Sequence, residues 1–210
     1  MRTNITVQML QRLPQYLSYL KALPKEYNTT ISATAIAEAL SLNDVQVRKD
    51  LAAISDGGKP KIGYITDSLI KRLEKVLGYD DVNDAIVVGV GNLGRTLMSY
   101  VGFSEYGLNI VAGFDIDKNV INTEVSGKKV LSVKKLKNLC QRMKIHIGII
   151  TVPASEAQKV CDALTETGVM GIWNFAPIHL KVPDGVHVQN EDMATSLAIL
   201  SRHITENLLA

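Results

Sequence analysis

The sequence predicts an α/β chain in which a small helical module precedes a parallel sheet wound by helices, with one long helix at the end. Three observations carry this. "AIVVGVGNLGRTLMSY" at 85–100 places a Gly-x-Gly-x-x-Gly between an apolar run and an amphipathic stretch, the pattern of a strand turning tightly into a helix. Downstream, short apolar runs alternate with helical stretches, as in a parallel sheet covered on both faces. Upstream, roughly eighty residues with helix-turn-helix spacing precede the glycine motif, enough for a domain of their own.

The 210 residues are 46% hydrophobic and 21% charged, ordinary globular composition that excludes a disordered or fibrous chain. The longest apolar runs, such as "AIVVGV" and "IGIITV", are too short to span a bilayer, and "MRTNITVQML" lacks the layout of a signal peptide. A cytoplasmic chain with no membrane partner is expected. Cys140 and Cys161 are isolated, with no Cys-x-x-Cys and no histidine at metal-ligand spacing, so buried thiols and no metal site are expected. The net charge of +2 conceals an asymmetry: residues 1–80 carry eleven Lys/Arg against eight Asp/Glu, and residues 81–210 twelve against thirteen. The basic excess lies ahead of the glycine motif, a weak pointer to a polyanion there.

The polar, turn-rich "GYDDVND" at 78–84 marks a boundary. We expect one domain over 1–80, a second over 81–190 and a terminal helix over 191–210. In the first, "LPQYLSYLKAL" has apolar residues at 13, 16, 17, 20 and 23, a helical stripe with Pro14 in a first turn that tolerates it. "ISATAIAEAL" and "LNDVQVRKDLAAI" follow as two short helices, the former capped by Ser32, with only a tight turn at 41–43 between them. "SDGGKPKIGYIT" reads as a hairpin with a glycine-lysine-rich tip, and "DSLIKRLEKVLG" as a helix ending at Gly78.

Together these make a winged-helix DNA-binding domain. Its third helix enters the major groove of double-stranded DNA and carries Asn43, Gln46, Arg48 and Lys49. Arg and Gln read base edges bidentately, whereas Lys49 suits phosphate. Lys59 and Lys61 of the wing and Tyr64 just after it complete the expected DNA-contacting set.

In the second domain, "AIVVGV", "NIVAGFD", "HIGIITV", "MGIWNF" and "VHVQ" read as strands, and 93–103, 132–142 and 155–167 as helices. This is the pattern of a Rossmann dinucleotide-binding domain. The turn comprises Gly89, Val90, Gly91, Asn92, Leu93 and Gly94. Gly89 allows the tight bend, Gly91 lets the backbone approach a pyrophosphate, and Gly94 lets the helix pack close to the sheet.

Asp115 ends the next strand, where its carboxylate accepts ribose hydroxyls and repels a 2′-phosphate, favouring NAD(H) over NADP(H). Asp117 joins it on the same side if the strand continues. "TVP", Thr151, Val152 and Pro153, and "NFAP", Asn174, Phe175, Ala176 and Pro177, each end a strand. Carboxyl ends of strands are where ligands sit on open α/β sheets, although proline also ends a strand on its own account.

A dehydrogenase needs a proton shuttle beside the nicotinamide. None of His146, His179, His187 and His203 falls in a strand-end turn, though His179 follows "NFAP" closely. No second large domain follows to hold a substrate, so binding without turnover is expected. "DMATSLAILSRHITENLLA" places apolar residues at 193, 197, 200, 204 and 208 on one helical stripe that no later strand covers.

The residues resemble the Rex redox-sensing transcriptional repressors of bacteria. The likeness spans nearly the whole chain and rests on "QVRKDL", "GY" at 63–64, "GVGNLGRTLMSY", "FDID", "TVP", "NFAP" and "NEDMATSLAIL". It implies a homodimer in which the C-terminal helix is swapped between subunits. It further implies a repressor that holds a palindromic operator while NADH is low relative to NAD⁺ and releases it when NADH binds, controlling fermentative or alternative respiratory genes.

Tyr100 and Asp192 match positions that the resemblance assigns to the nicotinamide pocket and interdomain coupling. The chain departs from the family at Met193, where phenylalanine is common, and at "KPKIGY", where relatives carry Arg-Gly before Val-Gly-Tyr. The competing readings are an NAD-dependent oxidoreductase with an accessory N-terminal domain and a CoA- or nucleotide-binding subunit of a larger enzyme.

Overall fold

A computed structural model describes residues 5–24, 29–55, 57–58, 62–79 and 83–209. Contacts divide the chain into two units, Met1–Asp81 and Val82–Ala210. The first opens with α1 (Val7–Ala22), capped by the Thr6 hydroxyl, which accepts from the Met9 amide at 3.2 Å. Pro14 therefore stands inside this helix and not in its first turn. The sequence stripe begins only at Leu13, so it hides the earlier start at a threonine cap. The backbone hydrogen bond that a mid-helix proline forgoes is offset by burial of Leu13, Tyr16, Leu17 and Leu20 in the core of this unit.

A two-residue strand, β1 (Thr30–Ile31), leads into α2 (Ala33–Ala39), which Ser32 caps by accepting from the Ala35 amide at 3.0 Å. Ser41, at φ +54°, turns the chain into α3 (Asp44–Ile54). The hairpin expected over 55–66 differs in its pairing. β2 (Tyr64–Ile65) runs antiparallel to β1, Tyr64 opposite Ile31. A strand as short as β1 leaves no periodicity to read. A Cβ on Gly63 would collide with the Ile31 carbonyl oxygen, so glycine at φ +84° is what lets the two strands meet. Lys59 and Lys61 lie outside the described residues. α4 (Thr66–Leu77) closes the unit at Gly78, left-handed at φ +71°.

The second unit holds a seven-stranded sheet of β3 (Asn83–Val88), β4 (Leu108–Asp115), β5 (Glu124–Val125), β6 (Lys128–Ser132), β7 (Ile147–Ile150), β8 (Gly171–Asn174) and β9 (His187–Asn190). Their order is β5-β6-β4-β3-β7-β8-β9, parallel except for the β5–β6 pair. Without the small edge strand β5, this is the doubly wound Rossmann order, whose switch point lies between β3 and β7.

The β5–β6 pair was not among the strands read from the sequence. Ser126 (φ +48°) and Gly127 (φ +79°) form its turn, the two-positive-φ geometry of tight hairpins. The lysines at 128 and 129 mask its alternation.

β3 reads as a continuous apolar run because both faces are covered. Ile86 and Val88 join one core with Leu136 and Cys140 of α6 (Leu136–Met143) and Ala157, Cys161 and Leu164 of α7 (Ala154–Thr165). Ala85 and Val87 join the opposite core with Met98 of α5 (Asn92–Ser99). α5 is shorter than expected: it stops at Ser99, and 101–106 continues as a 3-10 turn. Gly113 of β4 makes room for α5, since a Cβ there would sit 2.6 Å from Met98 Sδ and 2.7 Å from Val90 Cγ2.

The chain ends in α8 (Met193–Leu209), where Met193, Leu197, Leu200 and Ile204 are all more than half exposed within this one chain. Among the described residues, no helix is long and apolar enough to cross a membrane.

Candidate nucleotide site and DNA-contact helix

At the switch point the strand ends stand level. Val88 pairs with Phe114 and Ile150, and Ile150 with Asn174. The residues that follow, Gly89, Asp115, Thr151 and Phe175, therefore share one edge of the sheet. Gly89 is at φ +97°, and a Cβ on it would press against Thr151 and Val152 within 2.9 Å. A Cβ on Gly94 would collide with the Gly89 carbonyl oxygen. Both glycines are demanded by the fold.

Gly91 is different. Its φ of −75° suits any residue, and apart from its chain neighbours no atom of the described residues lies within 4 Å of where its Cβ would stand. Gly91 is also the N-cap of α5, which has no side-chain cap, while Asn92 and Leu93 form its first turn. An uncapped helix start with open space before it is the form of an anion site. We expect Gly94→Ala to destabilise the protein by about 3 kcal/mol, the scale of a forced overlap in a packed site. Gly91→Ala should cost less than about 1 kcal/mol, and urea unfolding of the two variants separates them.

Asp115 is fixed by three backbone donors: the Val90 amide at 2.7 Å to one oxygen, and the Ile116 and Asp117 amides at 2.7 and 2.9 Å to the other. The carboxylate thus ties the end of β4 to the glycine turn. A carboxylate has about four acceptor positions, so one remains for a hydroxyl without breaking a bond in the fold.

β4 ends at Asp115, so the condition for Asp117 to lie beside it is not met. Asp117 is exposed and instead accepts from the Asn119 amide and side chain at 2.9 and 3.0 Å. Thr151 binds the fold inward, its hydroxyl 2.6 Å from the Gly89 carbonyl oxygen. Val152 is half-buried against the core and Pro153 starts α7.

Asn174 is fully buried. Its Nδ2 lies within 3.1 Å of the Ala176 and Ile178 carbonyls and Asn190 Oδ1, and its Oδ1 accepts from the Ala176 amide at 3.0 Å. Its side chain shapes the turn carrying Phe175, Ala176 and Pro177, with the amide nitrogen engaged within the fold. Of those three, Ala176 is buried and Pro177 exposed.

Sequence reasoning missed an aromatic series beside this edge. The rings of Tyr100 and Phe103 stand 4.9 Å apart, Phe103 and Trp173 5.8 Å, and Trp173 and Phe175 4.6 Å. Trp173 Nε1 donates to Glu191 at 3.0 Å, one residue before Asp192. Asp192 accepts from the Thr195 amide and hydroxyl, which hold its carboxyl below the usual range, and so starts α8. Trp173 and Phe175 stand two residues apart at one strand end, but only tertiary structure brings Tyr100 and Phe103 beside them.

In the first unit, α3 turns Val47, Leu51 and Ile54 into the core and leaves Gln46, Arg48 and Lys49 exposed. Asn43, just ahead of it, serves as the helix cap, accepting from the Gln46 amide at 3.1 Å. Arg48 reaches Asp44 at 3.3 Å, an exposed pair one turn apart, worth a few tenths of a kcal/mol. Tyr64 does not join this face. It is 9% exposed and packs in the core, because β2 pairs with β1 and points alternate residues inward.

Beneath α3 lies a network that the sequence did not suggest. Asp50 is 3% exposed and accepts from Arg12 Nε at 2.7 Å and Nη2 at 3.0 Å, from the Tyr16 hydroxyl at 2.8 Å and from Gln46 Nε2 at 2.8 Å. Burial pushes the Asp50 carboxyl up, but the bonds from Arg12, Tyr16 and Gln46 outweigh it and hold the group below its ordinary value. Burial and the Asp50 bond push Tyr16 up to about 12.

A carboxyl lowered on folding contributes stability above its unfolded value near 4, and that contribution is lost as pH falls through the lower folded value. A phenol raised on folding contributes below pH 10, and that contribution is lost between about 10 and 12. We expect Asp50→Asn to flatten the acid limb of the stability profile and Tyr16→Phe the alkaline limb, both read by thermal unfolding against pH.

Comparison with known proteins places this architecture. Over 191 residues, 91% of each chain, the protein is 42% identical to the redox-sensing transcriptional repressor Rex of Treponema denticola. The chain belongs to the Rex family. It is also 36% identical to the Rex repressor of Clostridium acetobutylicum, over 95% of this chain and 94% of the relative. A crystal structure of RSP in complex with β-NAD⁺ and operator DNA matches with a TM-score of 0.92 at 34% identity, covering 99% of this chain and 96% of RSP. RSP, a Rex-family repressor, in complex with β-NADH matches with a TM-score of 0.86 at 33% identity, covering 99% and 98%. Two family models match separate stretches of this Rex-family chain. One, described as "Putative DNA-binding protein N-terminus", matches residues 4–52, and one described as "CoA binding domain" matches 80–178.

Proposed function

We propose that this chain is a redox-sensing transcriptional repressor that binds operator DNA as a homodimer and is released when NADH fills the glycine site. Gly91 carries the reading: a glycine with no conformational or steric reason inside the fold, at an uncapped helix start beside a fixed carboxylate. The diphosphate lies at the α5 N-terminus over Gly91, and Asp115 accepts a ribose hydroxyl. The site's edge includes Phe175 and the Tyr100 series, which face the nicotinamide. Asp192 begins the swapped helix α8, whose exposed apolar residues are covered by the second subunit.

Arg48, Gln46 and Lys49 contact the operator, with the wing lysines 59 and 61 on the backbone. Domains 1–80, 81–190 and 191–210 divide the labour into DNA binding, sensing and dimerisation. The repressor acts in the cytoplasm, where it controls fermentative or alternative respiratory genes in response to the NADH/NAD⁺ ratio.

Binding without turnover fits the placement of the titratable groups. All four histidines are exposed, and a sensor needs only differential affinity between two states. The match to a CoA-binding model raises a second reading. CoA carries a phosphate on the adenosine ribose, and the fixed Asp115 carboxylate repels a phosphate there as it does that of NADPH.

Calorimetry with NADH, NAD⁺, NADPH and CoA in parallel tests this. NADH and NAD⁺ should bind at least tenfold more tightly than the phosphorylated ligands, and tighter binding of CoA would overturn the assignment. A mobility shift with genomic fragments tests the DNA side. Binding should weaken steeply with salt, because neutralised phosphates release counterions; an enzyme would retain NADH and shift no fragment at any salt concentration.

A further inference from the structure

The network around Asp50 has more consequence than holding α1 to α3. Gln46 is exposed on the outward side of α3, yet its Nε2 donates inward to Asp50 Oδ1 at 2.8 Å. An ionised carboxylate only accepts hydrogen bonds, whereas a glutamine amide has a donor end and an acceptor end. Flipping the Gln46 amide would set its oxygen against the Asp50 oxygen, replacing attraction by repulsion. Asp50 is itself unable to turn away, because Arg12 grips both of its oxygens and Tyr16 holds one of them. The amide is therefore held in one sense: Oε1 and the second proton of Nε2 remain for an outside partner.

That pair of groups, an acceptor beside a donor in fixed order, complements one base edge in the major groove. Adenine offers an N6 donor beside an N7 acceptor, whereas guanine offers two acceptors side by side. We infer that Asp50, held by Arg12 and Tyr16, is a positioning residue that locks the Gln46 amide to read adenine at one position in each operator half-site. The inference rests on the DNA-binding reading above and adds to it the base read and the buried carboxylate that sets it. Buried charge under a reading side chain fixes orientation as well as stability.

The test is selection of bound sequences from a pool of random-sequence DNA duplexes by the full-length protein, followed by sequencing. The wild type should enrich a motif with adenine favoured roughly tenfold at one position per half-site, the discrimination of one bidentate pair. Gln46→Ala should lose that preference at that position alone. Asp50→Asn, whose own amide lets Gln46 face either way, should lose the same preference and keep the rest of the motif. Ile36→Val serves as the structural control: it trims the same core outside the network, so it lowers the melting temperature but leaves the Gln46–Asp50 bond and the adenine preference in place.

Gln46→Ala removes one hydrogen bond from Asp50 but leaves Arg12 and Tyr16 to hold it, so it keeps the test decisive even if Asp50→Asn unfolds. An unchanged motif with Gln46→Ala, or adenine retained by a folded Asp50→Asn, overturns the inference while leaving the repressor reading intact. A wild type that enriches no motif at all overturns both.

Discussion

Gly91→Val is expected to leave a folded, DNA-binding protein that no longer responds to NADH. The position tolerates a side chain on every count internal to the fold: φ is −75°, ψ is −163°, and apart from its chain neighbours no atom of the described residues lies within 4 Å of the added Cβ. An extended backbone suits a β-branched residue, and the loss of a glycine cap costs at most about 1 kcal/mol. The valine fills the volume through which a diphosphate must approach the first-turn amides. NADH affinity should fall on the order of 100-fold, about 2.7 kcal/mol, while operator affinity without nucleotide stays within about twofold, because the substitution leaves every side chain of the DNA-contact helix as it is. Calorimetry with NADH and a mobility shift on the same preparation measure the two quantities. Loss of NADH binding together with the fold would show that Gly91 is structural after all.

Arg48→Ala should do the reverse. Arg48 is exposed, it pairs with Asp44 on the same helix at 3.3 Å, and its removal leaves the core untouched. Stability should move by less than about 0.5 kcal/mol. If each guanidinium reads one base edge, the variant loses about 2 kcal/mol per half-site. A dimer loses that twice, so operator affinity falls on the order of a thousandfold while NADH affinity is unchanged. Retained operator binding with Arg48→Ala would remove Arg48 from the interface.

How much of this was legible in the sequence depends on whether the signal was local. The glycine turn, the caps at Ser32 and Gly78 and the parallel sheet are all written in short stretches where spacing and period follow from backbone geometry. Pro14 was misplaced because the apolar stripe starts later than the helix it belongs to. β1, β5 and β6 were missed because strands of two to five residues with lysines or threonines among them carry too little alternation. Tyr64 looked available next to a wing, and its burial follows from its pairing with Ile31, a partner far away in sequence.

The candidate sites divide in the same way. Gly91 and Asp115 were legible because a motif with fixed spacing encodes them. The spacing of the motif gives Gly89, Gly91 and Gly94 different tasks, and packing adds that two of the three glycines are filled around and one is open. Asn174, expected at a ligand, shapes the turn beside it through bonds that only the folded chain brings together. The Arg12–Tyr16–Asp50–Gln46 network and the series from Tyr100 to Phe175 draw on several elements each. No single stretch announces them.

The central claim is that one chain couples nicotinamide redox state to operator binding. If NADH favours one arrangement of the dimer and DNA the other, each ligand must weaken the other by the same factor. The most direct measurement is operator affinity at saturating NADH and at saturating NAD⁺, paired with NADH affinity in the presence and absence of operator. Operator affinity should fall at least tenfold with NADH relative to NAD⁺, and NADH affinity should fall by the same factor when operator is bound. Equal operator affinity with the two nucleotides would contradict it.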